Sequence, residues 1–292
     1  MDYVLGIDGG GTSTICLLAD AEGRVVARAE APASNHRKAD LREARQSIAA
    51  GVRAVLEKVG TSCAGGDLPR VAAACAGLAG VDTHDDAETL RQMLAEIVST
   101  EHLRVVNDGE IALYGALEDA PGVLVISGTG SIVWAASADG RRVRVGGWDY
   151  VLSDEGSGYQ IGLRALRAVA AAHDGRTPPT SLTASVLRSF AAESFDQLLG
   201  VIYHEEMTPQ RIASLAPLAD AAAASGDVVA SRVFEEAAGE LVHLAASAVC
   251  LAELSQTRFP VVPMGGVLLA GGQFAGRFRA LLGAAVPGAY CA

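Results

Sequence analysis

The sequence predicts an α/β protein built twice over: two similar lobes, each carrying a mixed sheet flanked by helices. Three observations predict it. First, two turns rich in glycine and hydroxyl residues recur roughly 120 residues apart, a separation far too long for a solenoid. They are Asp8-Gly9-Gly10-Gly11-Thr12-Ser13-Thr14 and Ser127-Gly128-Thr129-Gly130-Ser131, and each ends one apolar strand and starts another. Second, each is followed by a strand, an acidic-Gly turn (Glu22-Gly23, Asp139-Gly140) and a third strand. Third, strands alternate with helical periodicity in both halves, the pattern of packed α/β layers.

The elements follow in order. Tyr3–Ile7 and Ile15–Leu18 are apolar strands around the first turn, and Arg24–Arg28 is the third, reached through a tight hairpin. A connection through Asn35-His36 leads to a helix over 40–60, with Leu41, Ala44, Ile48, Val52, Val55, Leu56 and Val59 on one stripe. Arg70–Cys75 reads as a buried strand, 82–98 as a helix, Leu103–Val106 as a strand ending at Asn107-Asp108, and 110–117 as a helix. The second half repeats the opening with Val123–Ile126, Ile132–Trp134 and Arg141–Val145, then enters a glycine-rich segment from Gly146 to Gly158. Helices are expected over 159–174, 180–191, 208–224 and 227–255. A strand at Phe259–Val262 then meets Gly265-Gly266, a helix covers 273–282, and the chain closes on a strand-like Tyr290-Cys291-Ala292.

Composition narrows the class. Half of the 292 residues are apolar and a fifth charged, as expected for a globular chain with a sizeable core. A net charge of −11 argues against nucleic acid or a membrane surface as partner. An anionic small molecule stays open, because backbone N–H groups and a divalent cation supply local positive charge. The N-terminus opens directly into a strand, so no signal peptide is expected, and no apolar run is long enough to span a membrane. Cys16, Cys63, Cys75, Cys250 and Cys291 form no CxxC pair and no zinc pattern, which favours free thiols in a reducing cytoplasm. Only two asparagines, Asn35 and Asn107, occur in the whole chain, which raises the chance that each has a specific task.

Glycine lets backbone N–H groups curl into an anion-binding nest, and hydroxyls add donors. Either turn alone could be a plain hairpin; two in matching contexts suggest a nucleotide held between the halves. Neither turn has the lysine of a Walker loop. Thr12 to Leu18 is β-branched and strand-like, whereas a dinucleotide fingerprint needs a helix there.

Taken in order, Ile7 to Thr12, Asn107-Asp108, Ser127 to Ser131, Gly146-Gly147-Trp148, Asp154 to Ser157 and Gly265-Gly266-Val267 resemble the BadF/BadG/BcrA/BcrD ATPase family, most closely its N-acetylglucosamine kinase branch. The resemblance implies two RNase H-like lobes of the actin-like ATPase fold, over 1–117 and 118–292, with a helical insertion around 159–255 and ATP in the cleft between lobes. It implies an ATP- and Mg²⁺-dependent kinase that phosphorylates the 6-hydroxyl of an amino sugar. Asp108 is then the catalytic base and Asp8 the Mg²⁺ ligand. Gly10, Gly11, Thr12 and Ser13, with Gly128, Thr129 and Gly130, face the phosphates, and Gly265 and Gly266 the adenosine. Asn35, His36, Asn107, Trp148 and Asp154 would complete the sugar site, and a homodimer is left open.

Several of these residues also have plainer readings. Asp108 could be only a helix N-cap, Asn35 and His36 surface polarity, Gly265-Gly266 strand-to-helix punctuation, and Trp148 packing bulk. Arg37 and Lys38 depart from the aromatic residue that usually follows Asn-His in that branch. They either point to solvent or leave room for glucosamine or for a sugar bearing a carboxylate, such as N-acetylmuramate. Two other classes compete. An iron–sulfur activator ATPase would carry a cysteine near the second turn, and residues 107–158 hold none. A nucleotide-dependent regulator would carry an added DNA-binding or partner domain.

Overall fold

Two five-stranded sheets of the same topology organise the chain, whose computed structural model describes residues 2–37, 40–60, 70–204 and 207–292. Lys38 and Cys63 lie outside the described residues. The chain divides into two units, Met1–Gly115 and Ala116–Ala292.

In the first unit, β1 (Asp2–Gly9), β2 (Ser13–Ala19) and β3 (Val25–Pro32) form an antiparallel meander. Helix α1 (Leu41–Gly60) carries the chain to β4 (Arg70–Leu78), parallel to β1. Helix α2 (His84–Ala95) carries it to β5 (His102–Asn107), parallel to β4, and α3 (Asp108–Leu117) follows directly. The strand order is β3-β2-β1-β4-β5. β1 alternates buried and outer positions, placing Tyr3, Leu5 and Ile7 in the core, as the two-residue period of a strand requires. α1 packs Ala44, Ile48, Val52 and Val55 onto that face, while Leu41 of the expected stripe stays exposed at the helix start. Gly51 of α1 has no room for a side chain, since a Cβ there would lie 2.7 Å from the Cys16 sulfur. Burial pushes the Cys16 thiol up to about 11, which makes it an inert packing group.

The second unit repeats the scheme with β6 (Gly122–Ser127), β7 (Ser131–Ala136) and β8 (Arg142–Gly146). Between β8 and the next strand stand α4 (Asp149–Leu152), α5 (Gly158–His173), α6 (Leu182–Ser189), α7 (Phe195–His204), α8 (Pro209–Ala213), α9 (Ala216–Ala224) and α10 (Val228–Leu251). β9 (Phe259–Met264) pairs parallel with β6, and α11 (Gly266–Leu269) and α12 (Gln273–Ala285) lead to β10 (Ala289–Cys291), parallel to β9. Read from its outer meander strand the order is β8-β7-β6-β9-β10, strand for strand that of the first unit. Helices and strands bury Val123, Val125, Ile161, Phe234, Leu241, Phe259 and Phe278 in a core of this unit's own.

The acidic-Gly turns prove the duplication at atomic detail. In Asp20-Ala21-Glu22-Gly23-Arg24 the Asp20 N–H donates to Arg24 O (3.0 Å) and the Gly23 N–H to Asp20 O (3.0 Å). In Ser137-Ala138-Asp139-Gly140-Arg141 the Ser137 N–H donates to Arg141 O (2.9 Å) and the Gly140 N–H to Ser137 O (3.0 Å). Gly23 and Gly140 take φ of +80° and +81°, a left-handed geometry that favours glycine.

Three expectations needed correction. The helix expected over 208–224 is two, α8 and α9, because Pro217 in the first turn of α9 cannot continue the preceding helix. α7 was not anticipated: Gly200, Val201, Ile202 and Tyr203 are poor helix formers, and burial of Leu198 in the core overrides them. The glycine-rich segment also holds the short helix α4.

Candidate active site

In the first unit several of the candidate residues gather where β1, β4 and β5 end. Asp8 pairs with Gly77, and Gly9 with Leu78, which in turn pairs with Asn107. Asp8 and the Asn107-Asp108 pair therefore share one sheet edge with one strand between them, about 10 Å apart at the usual strand spacing. Gly77, between them, must be bare: a Cβ would meet the Ile111 side chain at 2.4 Å, so its absence lets the first turn of α3 settle on the sheet. This is the carboxyl edge, where ligands of open α/β sheets commonly bind.

Local hydrogen bonds set the first turn. Gly10 N–H donates to Ser13 O (2.9 Å) and Ser34 N–H to Gly10 O (3.2 Å). Thr14 Oγ1 donates to Pro32 O (2.7 Å) and lies 2.8 Å from Ser34 Oγ. Gly10 thus uses its N–H to close the turn. The N–H groups of exposed Gly11 and Thr12 make no backbone hydrogen bond among the described residues, which leaves them as the donors the turn presents.

Asp108 opens α3 with its carboxyl mostly buried. Burial raises its pKa above the ordinary carboxyl value, and the charges of Asp8 and Asp82 push the same way, against a hydrogen bond from Gly109 N–H. Burial raises Asp8 as well. Asn107 orients this corner: its Oδ1 accepts from Gly109 N–H (2.9 Å) and its Nδ2 donates to Val81 O (3.1 Å). Gly109 N–H also reaches Asp108 Oδ1 (2.9 Å). Asn107 therefore shares the capping task that the plainer reading gave to Asp108 alone.

Asn35-His36-Arg37 lies against the loop after β4. A Cβ on Gly80, whose φ is +91°, would come within 3.0 Å of Asn35 Oδ1 and 3.2 Å of His36 Cε1. Arg37 neither points to solvent alone nor stands free for a ligand. It pairs with Asp82 (3.2 Å) and Asp86 (2.9 Å), and His36 Nε2 lies 3.7 Å from Asp86. Asp86 also closes a capping box with Thr83 at the start of α2. Burial raises the Asp86 pKa, but hydrogen bonds from the Thr83 hydroxyl, Arg37 and the Thr83 and Asp82 N–H groups outweigh it and hold the carboxyl well below the usual range. A carboxyl depressed on folding stabilises the protein above the unfolded value of about 4 and loses that contribution as pH falls toward the folded value. Asp86→Asn is accordingly expected to lose less stability than the native chain between about pH 6 and pH 3 in denaturant titrations. Equal losses would contradict this.

In the second unit, Gly128 N–H donates to Gly130 O (2.9 Å), closing the second turn as Gly10 closes the first. The start of α5 grips this turn from below, with Gly158 N–H on Gly128 O (2.8 Å) and Tyr159 N–H on Thr129 O (3.1 Å). Ser127 Oγ donates to Gly156 O (2.8 Å) and Ser131 Oγ to Glu155 O (2.8 Å). Asp154 is buried at φ +69°, and its carboxylate accepts the Ser131 N–H (2.9 Å) directly under Gly130. Gly265, at φ +87°, touches the same turn: a Cβ there would lie 2.3 Å from Ser127 O. Gly266 opens α11 with open space around it. Trp148 is 51% exposed, so it is not core bulk, and the Arg144 guanidinium sits 4.2 Å from its ring centre. Sequence reasoning missed Asp82, Asp86 and Ser34. The Thr83-x-x-Asp86 spacing was the one signal that pointed at any of them.

The scaffold is duplicated, and the first unit adds to it the carboxyl groups of Asp8 and Asp108 at its sheet edge. Among the described residues no group of three or more His, Cys, Asp or Glu side chains could cage a metal ion. Asp8 offers one hard oxygen donor, which suits Mg²⁺ that keeps water and phosphate oxygens as its other ligands. No helix of the described residues is long and apolar enough to cross a membrane.

A model of the BadF/BadG/BcrA/BcrD ATPase family matches residues 5–285. A Clostridium acetobutylicum protein described as an N-acetylmuramic acid/N-acetylglucosamine kinase is 34% identical over 268 residues, 92% of this chain and 86% of that one. An N-acetyl-D-glucosamine kinase of Dictyostelium discoideum is 33% identical over 271 residues, 91% of this chain and 85% of its own. Among solved structures, a Chromobacterium violaceum protein provisionally described as an N-acetylglucosamine kinase superposes with a TM-score of 0.72 at 28% identity, covering 99% of this chain and 94% of that one. The chain belongs to the BadF/BadG/BcrA/BcrD ATPase family.

Proposed function

We propose that this chain, as a member of the BadF/BadG/BcrA/BcrD ATPase family, is an ATP-dependent amino-sugar kinase that makes N-acetylglucosamine 6-phosphate. The observation that carries the reading is the partly buried Asp108 at the carboxyl edge of the first sheet, in a chain a third identical to two kinases whose names include N-acetylglucosamine. Phosphoryl transfer asks a protein mainly for positioning and charge stabilisation. Asp108 takes the proton of the sugar 6-hydroxyl as that oxygen forms its bond to the γ-phosphorus and the bond from phosphorus to the β–γ bridging oxygen breaks, releasing ADP. The first turn leaves the N–H groups of Gly11 and Thr12, and the second those of Thr129 and Gly130, outside its backbone bonds, a donor pattern that suits phosphate oxygens, while Gly10 and Gly128 each close their own turn. Asp8 would hold Mg²⁺, which when bound neutralises phosphate charge. Gly265 and Gly266 take the adenosine side.

Asn35 and His36 are assigned to the sugar. Asn107, Trp148 and Asp154 share that assignment, and Asn107 and Asp154 each have a further task in the fold. Asn107 braces the Asp108 corner, and Asp154 braces the second turn, so their substitution would disturb the site even without sugar contact. A coupled assay across N-acetylglucosamine, glucosamine, glucose, N-acetylmannosamine and N-acetylmuramate tests the reading. N-acetylglucosamine is expected to give the highest kcat/KM. Turnover of none of them would sink the kinase assignment.

A further inference from the structure

Arg37 follows the segment assigned to the sugar, yet its charge is committed within its own unit. Its guanidinium spans two carboxylates, 3.2 Å from Asp82 Oδ2 and 2.9 Å from Asp86 Oδ2. A planar fork suits such bridging; an ammonium would serve one carboxylate at a time. Its backbone N–H donates to Asn35 Oδ1 (3.0 Å), so the same residue sets the orientation of the Asn35 amide. The path then continues. Asp82 N–H reaches Asp86 Oδ2 (3.2 Å), Val81 O accepts from Asn107 Nδ2 (3.1 Å), and Asn107 Oδ1 fixes Gly109 N–H beside Asp108. One cation against two carboxylates, with Asp8 and Asp108 further along the edge, also makes this a poor place to receive an anionic substrate group.

We infer that Arg37 is a positioning residue that struts the Asn35-His36 segment against the Asp82–Asp86 loop, in register with Asp108, and does not read substrate charge. The inference rests on the kinase reading for its kinetic consequences but not for its structural ones.

The test uses the full chain with Arg37→Gln, Arg37→Lys, Asp86→Asn and the Arg37→Gln/Asp86→Asn double variant. Arg37→Gln is expected to raise the N-acetylglucosamine KM about tenfold, with kcat changed less than about threefold and the ATP KM unmoved. N-acetylmuramate turnover, where the native chain shows it, falls by the same factor. Arg37→Lys recovers part of the loss, and the double variant is no worse than the worse single one, as members of one network behave. Hydrogen exchange of the free proteins is expected to quicken at residues 33–37 and 80–83 in Arg37→Gln and Asp86→Asn alike.

An unchanged N-acetylglucosamine KM would overturn the positioning role, and a loss confined to the carboxylate-bearing sugar would overturn it and make Arg37 a substrate reader. Unaltered exchange in both segments would overturn it whatever the activity. A native chain that turns over no sugar contradicts the kinase reading instead, and the exchange result then still decides the strut.

Discussion

Asp108→Asn is expected to lower kcat by about 10²–10⁴-fold, the range over which a positioned general base acts. Sugar and ATP affinity should change little, because the amide keeps the shape and can still accept the Gly109 N–H bond that the carboxylate accepts at 2.9 Å. What it loses is the capacity to take a proton. The native acid limb should report the same group. Burial, then the Asp8 and Asp82 charges, raise the Asp108 pKa. Activity therefore falls as pH drops through a value above the ordinary carboxyl range, since the base must be ionised to act. Burial raises the Asp8 carboxyl as well. Asp82→Asn removes one like charge and should move that limb to lower pH. Near-normal turnover in Asp108→Asn would remove Asp108 from the mechanism.

Gly265→Ala is expected to destabilise the protein by about 3 kcal/mol and to raise the ATP KM with it. The residue sits at φ +87°, where an L side chain costs roughly 1–2 kcal/mol. The added methyl would also meet the Ser127 carbonyl oxygen at 2.3 Å and the Gly128 nitrogen at 3.0 Å. Those atoms cannot yield cheaply, because Ser127 is pinned through its hydroxyl to Gly156 O and Gly128 is closed onto Gly130. The methyl therefore pushes on the base of the second turn itself. A thermal melt should show a fall of roughly 2–4 °C for each kcal/mol in a domain of this size. Gly266→Ala is the internal control: nothing lies within 4 Å of its Cβ position, so it should cost little. Equal melting temperatures for the two variants would show that the contact at Gly265 is not what holds the turn.

Local features were legible in the sequence because the chemistry of a few neighbouring residues determines them. The glycines of both turns, the Glu22-Gly23 and Asp139-Gly140 hairpins and the α1 stripe needed no distant partner to be recognised. The repeat they form was enough to anticipate two sheets of one topology. What stayed hidden was long-range or context-dependent. Arg37 looked like either a substrate contact or a solvated charge, because its partner Asp86 lies 49 positions away. Asp154 also has a task inside the fold, and its bond to Ser131 N–H across 23 positions could not be inferred from spacing. Gly10 and Gly11 look equivalent in sequence, and folding distinguishes them by spending one N–H inside the turn. α7 depends on core packing that outweighs its own poor propensity.

The most direct test follows the phosphate. The native chain and Asp108→Asn, each with Mg²⁺, ATP and N-acetylglucosamine, are to be followed by phosphorus NMR and mass spectrometry of the sugar. The native chain should give a 6-phosphorylated sugar and one ADP for each sugar converted, and Asp108→Asn almost none. ADP release by the native chain with no phosphorylated sugar, for this or any other amino sugar in the panel, would contradict a kinase built around Asp108.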